Sequence, residues 1–136
     1  MRVVLDEGAK LPTRAHRYDA GLDIYARETK VVPARGSEVF DTGVHVEIPE
    51  GYVGFLKSKS GLNVKHNITS EGVIDAGYTG SIMVKLYNHG DKDYLVSTGD
   101  KITQLVVIRV DLDDCYEVDT LEETERGEDG FGSTGK

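Results

Sequence analysis

Apolar and polar residues alternate along this chain in short runs, and nowhere with a helical period of useful length. Thr42-Gly43-Val44-His45-Val46-Glu47-Ile48 alternates with period two and stops at Pro49-Glu50-Gly51, which reads as a strand ended by a turn. The same pattern predicts strands at Arg2 to Leu5, Ala20 to Ala26, Glu28 to Pro33, Ser37 to Phe40 and Tyr52 to Lys57. Further strands are expected at Ser81 to Asn88, at Tyr94 to Ser97 and over Lys101 to Val110, the longest apolar run. The polar stretch from Asp6 to Tyr18, with Pro12, reads as a loop, and Ser58 to His66 leaves room for a single helical turn. Short strands between glycine turns predict an all-β barrel, sandwich or jelly roll.

At 136 residues the chain has the length of one domain with a proper core. No run has the apolar length of a membrane span, and Met1 to Asp6 lacks a signal-peptide apolar region. Cys115 is the only cysteine, so a reducing, cytoplasmic setting is expected. The net charge of -8 is uneven: residues 111 to 129 hold ten acids and one base, so -9 lies there and about +1 elsewhere. The expected organisation is a near-neutral β-barrel body over 1–110 followed by an acidic arm over 111–136. Without a basic stripe to displace counterions, a nucleic acid is not an expected partner, and neither is a membrane. A small anion held by a few placed donors remains open.

The candidate chemistry centres on Gly72-Val73-Ile74-Asp75-Ala76-Gly77-Tyr78-Thr79-Gly80. An apolar approach delivers the Asp75 carboxylate to a turn bracketed by Gly77 and Gly80, residues suited to left-handed backbone. The strand after it predicts a β-hairpin holding Asp75 and Tyr78 three residues apart. By itself such a stretch also fits an ordinary polar-tipped hairpin.

The arm ends in Arg126-Gly127-Glu128-Asp129-Gly130-Phe131-Gly132-Ser133-Thr134-Gly135-Lys136, which cannot bury itself as a core. It reads as a flexible tail, yet Phe131 offers a ring to stack on a planar base, and its amides and hydroxyls suit phosphates. Order acquired on ligand binding satisfies both readings. Gly130 to Lys136 mimics the start of a phosphate-loop motif but lacks the following hydroxyl residue and helix, so that reading is rejected. His16, His45, His66 and His89 never fall at metal-cage spacing, and the arm has no ordered calcium loop. A cation is expected to arrive as magnesium on a phosphorylated substrate, with Asp23 near its water shell. Cys115 sits among acids that disfavour its thiolate, so a nucleophilic triad finds little support.

Together these pieces resemble the trimeric dUTP pyrophosphatase (dUTPase) family, essentially from end to end. Five family motifs stand in order: Ala20 to Ala26, Ser58-Lys59-Ser60-Gly61-Leu62, Gly72 to Gly80, Gly99-Asp100-Lys101-Ile102-Thr103-Gln104-Leu105, and Arg126-Gly127 with Phe131 to Gly135. The resemblance implies a jelly-roll-like β-barrel subunit, a homotrimer with sites at subunit interfaces, and hydrolysis of dUTP to dUMP and pyrophosphate with Mg2+ on the triphosphate. That reaction limits uracil incorporation into DNA and supplies dUMP for thymidylate synthesis. By the same resemblance, Asp75 is the general base for attack on the α-phosphorus and Tyr78 packs under the deoxyribose. Val73 and Met83, flanked by Gly72 and Ile74, read the uracil. Lys59, Ser60, Gly61 and Gln104 hold phosphates, and Asp23 reaches the metal through water. Arg126, Gly132 and Ser133 close over the substrate while Phe131 caps the uracil.

Two positions depart from the family pattern. Lys59 stands where arginine is usual, which keeps the charge but loses a two-pronged phosphate contact, unless a neighbour such as Lys57 compensates. Thr69 stands where many members carry asparagine in the substrate-binding set. Two rival readings are a dCTP deaminase, for which Glu71 is the nearest acid–base candidate, and a non-enzymatic nucleotide-binding or protein-docking module. The Asp75–Tyr78 pair and the phenylalanine-bearing arm favour pyrophosphate release.

Overall fold

The computed structural model describes residues 1–132 and 135; Ser133, one of the expected phosphate contacts, lies outside them. The strands run in chain order as β1 (Val3–Leu5), β2 (Gly21–Tyr25), β3 (Lys30–Val32), β4 (Ser37–Asp41), β5 (Val44–Val46) and β6 (Tyr52–Lys57). After helix α1 (Ser60–His66) come β7 (Ile68–Thr69), β8 (Glu71–Ile74), β9 (Met83–Asn88), β10 (Tyr94–Val96) and β11 (Lys101–Arg109). Every pairing between these strands is antiparallel. A four-stranded sheet runs β2-β11-β6-β8, a three-stranded sheet runs β4-β9-β7, and β1-β5 and β10-β3 form two ribbons. This is the all-β, jelly-roll-like architecture expected. Among the described residues no helix is long and apolar enough to cross a membrane.

The period-two pattern explains the core. In β9, Val84, Leu86 and Asn88 turn inward while Met83, Lys85 and Tyr87 face out. Ile24, Phe40, Leu56, Ile68, Ile82, Leu86, Ile102 and Leu105 are fully buried and join strands of both larger sheets. Buried Asn88 is satisfied: Nδ2 donates to the Val32 and Lys92 carbonyls at 3.1 and 2.8 Å, and Oδ1 accepts from the Gly90 amide at 2.9 Å. The seven-residue α1 fully buries none of its residues, and Asn67 ends it in the left-handed conformation with φ of 57°. It is longer than the single turn expected. Leu62 packs its side chain against the core, and the Asn67 amide donates back to the Asn63 carbonyl at 3.1 Å, closing the last turn.

Three sequence expectations change. The stretch around Asp75 is not a hairpin: β8 pairs with β6, whereas β9 pairs with β4 and β7, so residues 75–82 cross between sheets. The cause is a competing partner, since the Ile82 amide donates to the Val44 carbonyl at 2.8 Å and the Thr42 amide to the Ile82 carbonyl at 3.1 Å. Nor is left-handed backbone the reason for the glycines, because neither Gly77 nor Gly80 has positive φ. The strand expected over Thr42 to Ile48 shortens to Val44–Val46, with Gly43 at φ 67° before it.

A bulge in β11 sets which side chains face Asp23. Lys101 stands opposite Tyr25, but Thr103 then stands opposite Ile24 and Gln104 opposite Asp23. Without the extra residue, Thr103 would face Asp23. Such an insertion re-aims side chains from that point onward.

Candidate active site

At the head of the four-stranded sheet, one acid sits between two bases. Asp23, in β2, is only 3% exposed. Lys59 Nζ donates to its Oδ1, and Lys101 Nζ lies 2.9 Å from its Oδ2. The Lys101 contact is an ion pair without hydrogen-bond alignment, leaving Oδ2 a buried oxygen short of a good donor. Burial pushes the Asp23 carboxyl up, but the two ammonium groups outweigh it and hold the group below the usual carboxylate range. Lys101 moves up in return, through its contact with Asp23.

Gln104 sits directly across from Asp23, and its Nε2 donates to the Ser58 carbonyl at 3.0 Å. Its side chain lies flat over Gly21, where any Cβ would collide with it, so glycine is required at the start of β2. Ser60 and Gly61 open α1 in exposed positions close in sequence to Lys59. Lys59, Gln104 and Asp23 are separated widely along the chain, and only the family resemblance grouped them before the fold was seen. Lys101 was missed, because a lysine opening a strand carries no distinctive signal. Lys57, the suggested substitute for the missing arginine, is engaged by Glu71 at 2.7 Å in an exposed pair. The same contact occupies Glu71.

The second group of residues lies on the crossing loop. Asp75 is exposed at the start of a turn closed by its own carbonyl, which accepts from the Tyr78 amide at 3.0 Å. Tyr78, 43% exposed, donates its hydroxyl to the Ser81 carbonyl at 2.8 Å. The ring lies over Gly80 so closely that an added Cβ would stand 2.5 Å from the hydroxyl oxygen. Glycine at 80 is therefore a matter of space. Val73 and Met83, 60% and 48% exposed, flank the loop as an apolar mouth. Gly72 and Ile74 share β8 with Val73, Ile74 turning into the core. Thr69 stands in β7, with its hydroxyl 2.8 Å from His89 Nε2.

These two groups do not meet within one chain. Ile74 pairs with Gly54, and Glu71 pairs with Lys57, so β8 runs away from the Lys59 end of β6. Lys59 is five residues beyond Gly54, about 17 Å along extended chain, and Asp75 lies one step further in the opposite sense. The arm joins neither group: beyond the Val110 amide, which donates to the Gly51 carbonyl at 3.0 Å, its described hydrogen bonds stay within the arm. Arg126 Nε donates to the Asp129 carbonyl at 2.7 Å, and Phe131 is fully exposed beside Gly132.

A model of the dUTPase family matches residues 7–135 of this chain. The chain belongs to the dUTPase family. It is 46% identical over 140 residues to the deoxyuridine 5'-triphosphate nucleotidohydrolase of Debaryomyces hansenii, covering 100% of this chain and 88% of that protein. Among solved structures it resembles the Staphylococcus bacteriophage 80alpha dUTPase with dUPNHPP, with TM-score 0.90, 34% identity, and coverage of 99% and 98% of the two chains. It also resembles a variant dUTPase of phage phi11 of S. aureus described with a structural Mg(II) ion, with TM-score 0.83, 32% identity, and coverage of 90% and 98%.

For this dUTPase-family chain the donor set limits how a metal is held. Among the described residues no three His, Cys, Asp or Glu side chains gather to bind an ion. Asp23 is a lone hard carboxylate with one buried oxygen poorly satisfied, a donor of the type that meets a hard cation together with water and phosphate oxygens.

Proposed function

We infer that this chain hydrolyses dUTP to dUMP and pyrophosphate, at sites assembled from more than one copy of itself. The observation that supports the assembly is the β6–β8 register, which puts Lys59 and Asp75 toward opposite ends of the strand pair, about 17 Å apart along extended chain. A triphosphate held by Lys59, Ser60, Gly61 and Gln104 of one copy needs Asp75 from another. A closed homotrimer, with three equivalent interfaces, supplies that pairing without leaving an open edge.

In this site Asp75 takes a proton from water as it attacks the α-phosphorus, a role suited to an exposed carboxylate on a fixed turn. Backbone groups of Val73 and Met83, with Gly72 and Ile74 holding the strand, meet the uracil edge, and Thr69 of β7 belongs to the same substrate-binding set. Magnesium, brought by the triphosphate, neutralises phosphate charge when bound. Asp23 would meet the water shell of that ion, and Lys59, which donates to Asp23 here, would be shared with the phosphates. Arg126, Gly132 and Ser133 of the arm close over the phosphates, with Phe131 over the base. Catalysis of this kind rests on positioning and electrostatics. The deciding assay incubates the protein with dUTP, dCTP, dTTP and UTP and follows pyrophosphate and ammonia. Pyrophosphate from dUTP alone supports the reading; ammonia from dCTP would replace it with deamination.

Tyr78 provides the sugar test. In this reading its ring occupies the place of a ribose 2′-hydroxyl, held by the Ser81 carbonyl and by the absence of a side chain at Gly80. Tyr78→Ala is expected to raise the UTP to dUTP ratio of kcat/KM. Gly80→Ala, which forces the ring aside while keeping it, is expected to move the ratio in the same direction. Equal losses on both substrates in both variants would give the ring a purely structural role.

Lys59 provides the phosphate test. Arginine there would add a forked contact to phosphate oxygens. Lys59→Arg is expected to tighten binding of a non-hydrolysable dUTP analogue by about threefold to tenfold, measured by calorimetric titration. Weaker binding would mean that the fit of lysine between Asp23 and the phosphates outweighs the fork.

A further inference from the structure

The loop that carries Tyr78 is gripped from outside the five motifs by a histidine. His45, the middle residue of β5, places Nδ1 2.8 Å from the Thr79 carbonyl oxygen and Nε2 3.1 Å from Asp6 Oδ1. A carbonyl and an ionised carboxylate can only accept, so both ring nitrogens must donate, which only the imidazolium does. A neutral ring would turn a lone pair toward one of those oxygens.

The charges facing the ring come from three elements. Asp6 approaches from the loop after β1, and Asp41 from the end of β4. Arg27 links the two acids, 3.8 Å from Asp6 and 3.1 Å from Asp41. Farther along the same groove, Arg2 and Glu47 pair with each other at 2.6 Å. Asp41 meanwhile accepts from Ser81 Oγ at 2.5 Å and from the Gly43 amide at 3.0 Å. The loop is thus clasped on both sides of Gly80, at Thr79 by His45 and at Ser81 by Asp41. Tyr78 rests its hydroxyl on the Ser81 carbonyl, next to the second clasp.

We propose that His45 is a positioning residue for sugar discrimination: its imidazolium clamps Thr79 and so fixes Tyr78, and deprotonation relaxes the preference for dUTP over UTP. The proposal rests on the reading of this chain as a dUTP hydrolase with Tyr78 under the sugar. The Thr79 carbonyl, then Asp6, hold His45 above its ordinary value of 6.5, against a smaller opposing effect of burial. A raised folded value means the clamp is complete below about pH 6.5 and is lost as pH rises through the raised value.

The test compares kcat/KM for dUTP and for UTP from about pH 6 to 9.5 on the full chain, with the His45 ring titrated by NMR. Both substrates carry the same triphosphate and meet the same Asp75, so those titrations cancel in the ratio. The dUTP preference is expected to fall by about threefold to tenfold, the net weight of one ordinary hydrogen bond acting through the loop, with its midpoint at the His45 titration. In His45→Asn, whose amide nitrogen stands where Nδ1 does and can still donate to Thr79 but does not titrate, the ratio should stay level with pH. Asp6→Asn should lower the NMR midpoint and carry the selectivity midpoint down with it, a result that a merely structural histidine would not give. A constant ratio in the unsubstituted protein while His45 titrates overturns the proposal and leaves dUTP hydrolysis standing. Absence of dUTP turnover at every pH overturns both.

Discussion

Replacing Asp75 by asparagine is expected to lower single-turnover hydrolysis of dUTP by about two to four orders of magnitude, the usual reach of a general base, while dUTP still binds. The substitution keeps the shape of the side chain and removes only its ability to take a proton. The turn should survive, because the contact that closes it runs from the Tyr78 amide to the backbone carbonyl of residue 75. Asp75 is exposed and makes no described side-chain hydrogen bond, so thermal stability should change little. Binding of a non-hydrolysable analogue, measured alongside, separates the chemical step from the pocket. Near-unchanged single-turnover rates with intact binding would move the base to another group.

Deleting residues 126 to 136 is expected to abolish most turnover while leaving assembly size and melting temperature nearly as they were. Beyond Val110 the described hydrogen bonds of the arm are internal, so few contacts with the body are lost. In the proposed site, what goes is Phe131 over the base and Arg126 with its glycine-rich neighbours over the phosphates. Co-refolding this truncation with Asp75→Asn then asks which copy each arm serves. Each parent lacks one essential part at every site. If Asp75 and the arm of one site come from different copies, random mixing restores about a quarter of the sites of a cyclic trimer. Mixed assemblies, verified by mass spectrometry, that remain as inactive as their parents would show that each arm closes a site using its own Asp75.

Much of the body was legible because strands write their burial into the chain with period two. Tyr52–Lys57 has the bounds the pattern predicts, and Val84, Leu86 and Asn88 turn inward as alternation requires. The five motifs were legible for another reason: each is a local run whose residue types and order do not depend on what it packs against. Asp75, Tyr78, Lys59 and Gln104 could therefore be named as candidates before any fold was in view.

Alternation says which face of a strand is buried and nothing about which strand lies beside it. Pairing is long-range, and here it overturned the hairpin: Ile82 finds Val44 and Thr42, so residues 75–82 bridge two sheets. Register is equally silent in the sequence, and one extra residue in β11 decides that Gln104, and not Thr103, stands opposite Asp23. The β6–β8 register carries Asp75 away from Lys59. His45 reads along the chain as one more polar position in a strand; only the folded backbone brings the Thr79 carbonyl and the Asp6 carboxylate to its two nitrogens. Most strands, their inward faces and the candidate residues are legible locally, because they depend on neighbours a few positions away. Which of them meet is legible only in the fold, because contacts between distant segments depend on sheet order and register, which no local pattern encodes.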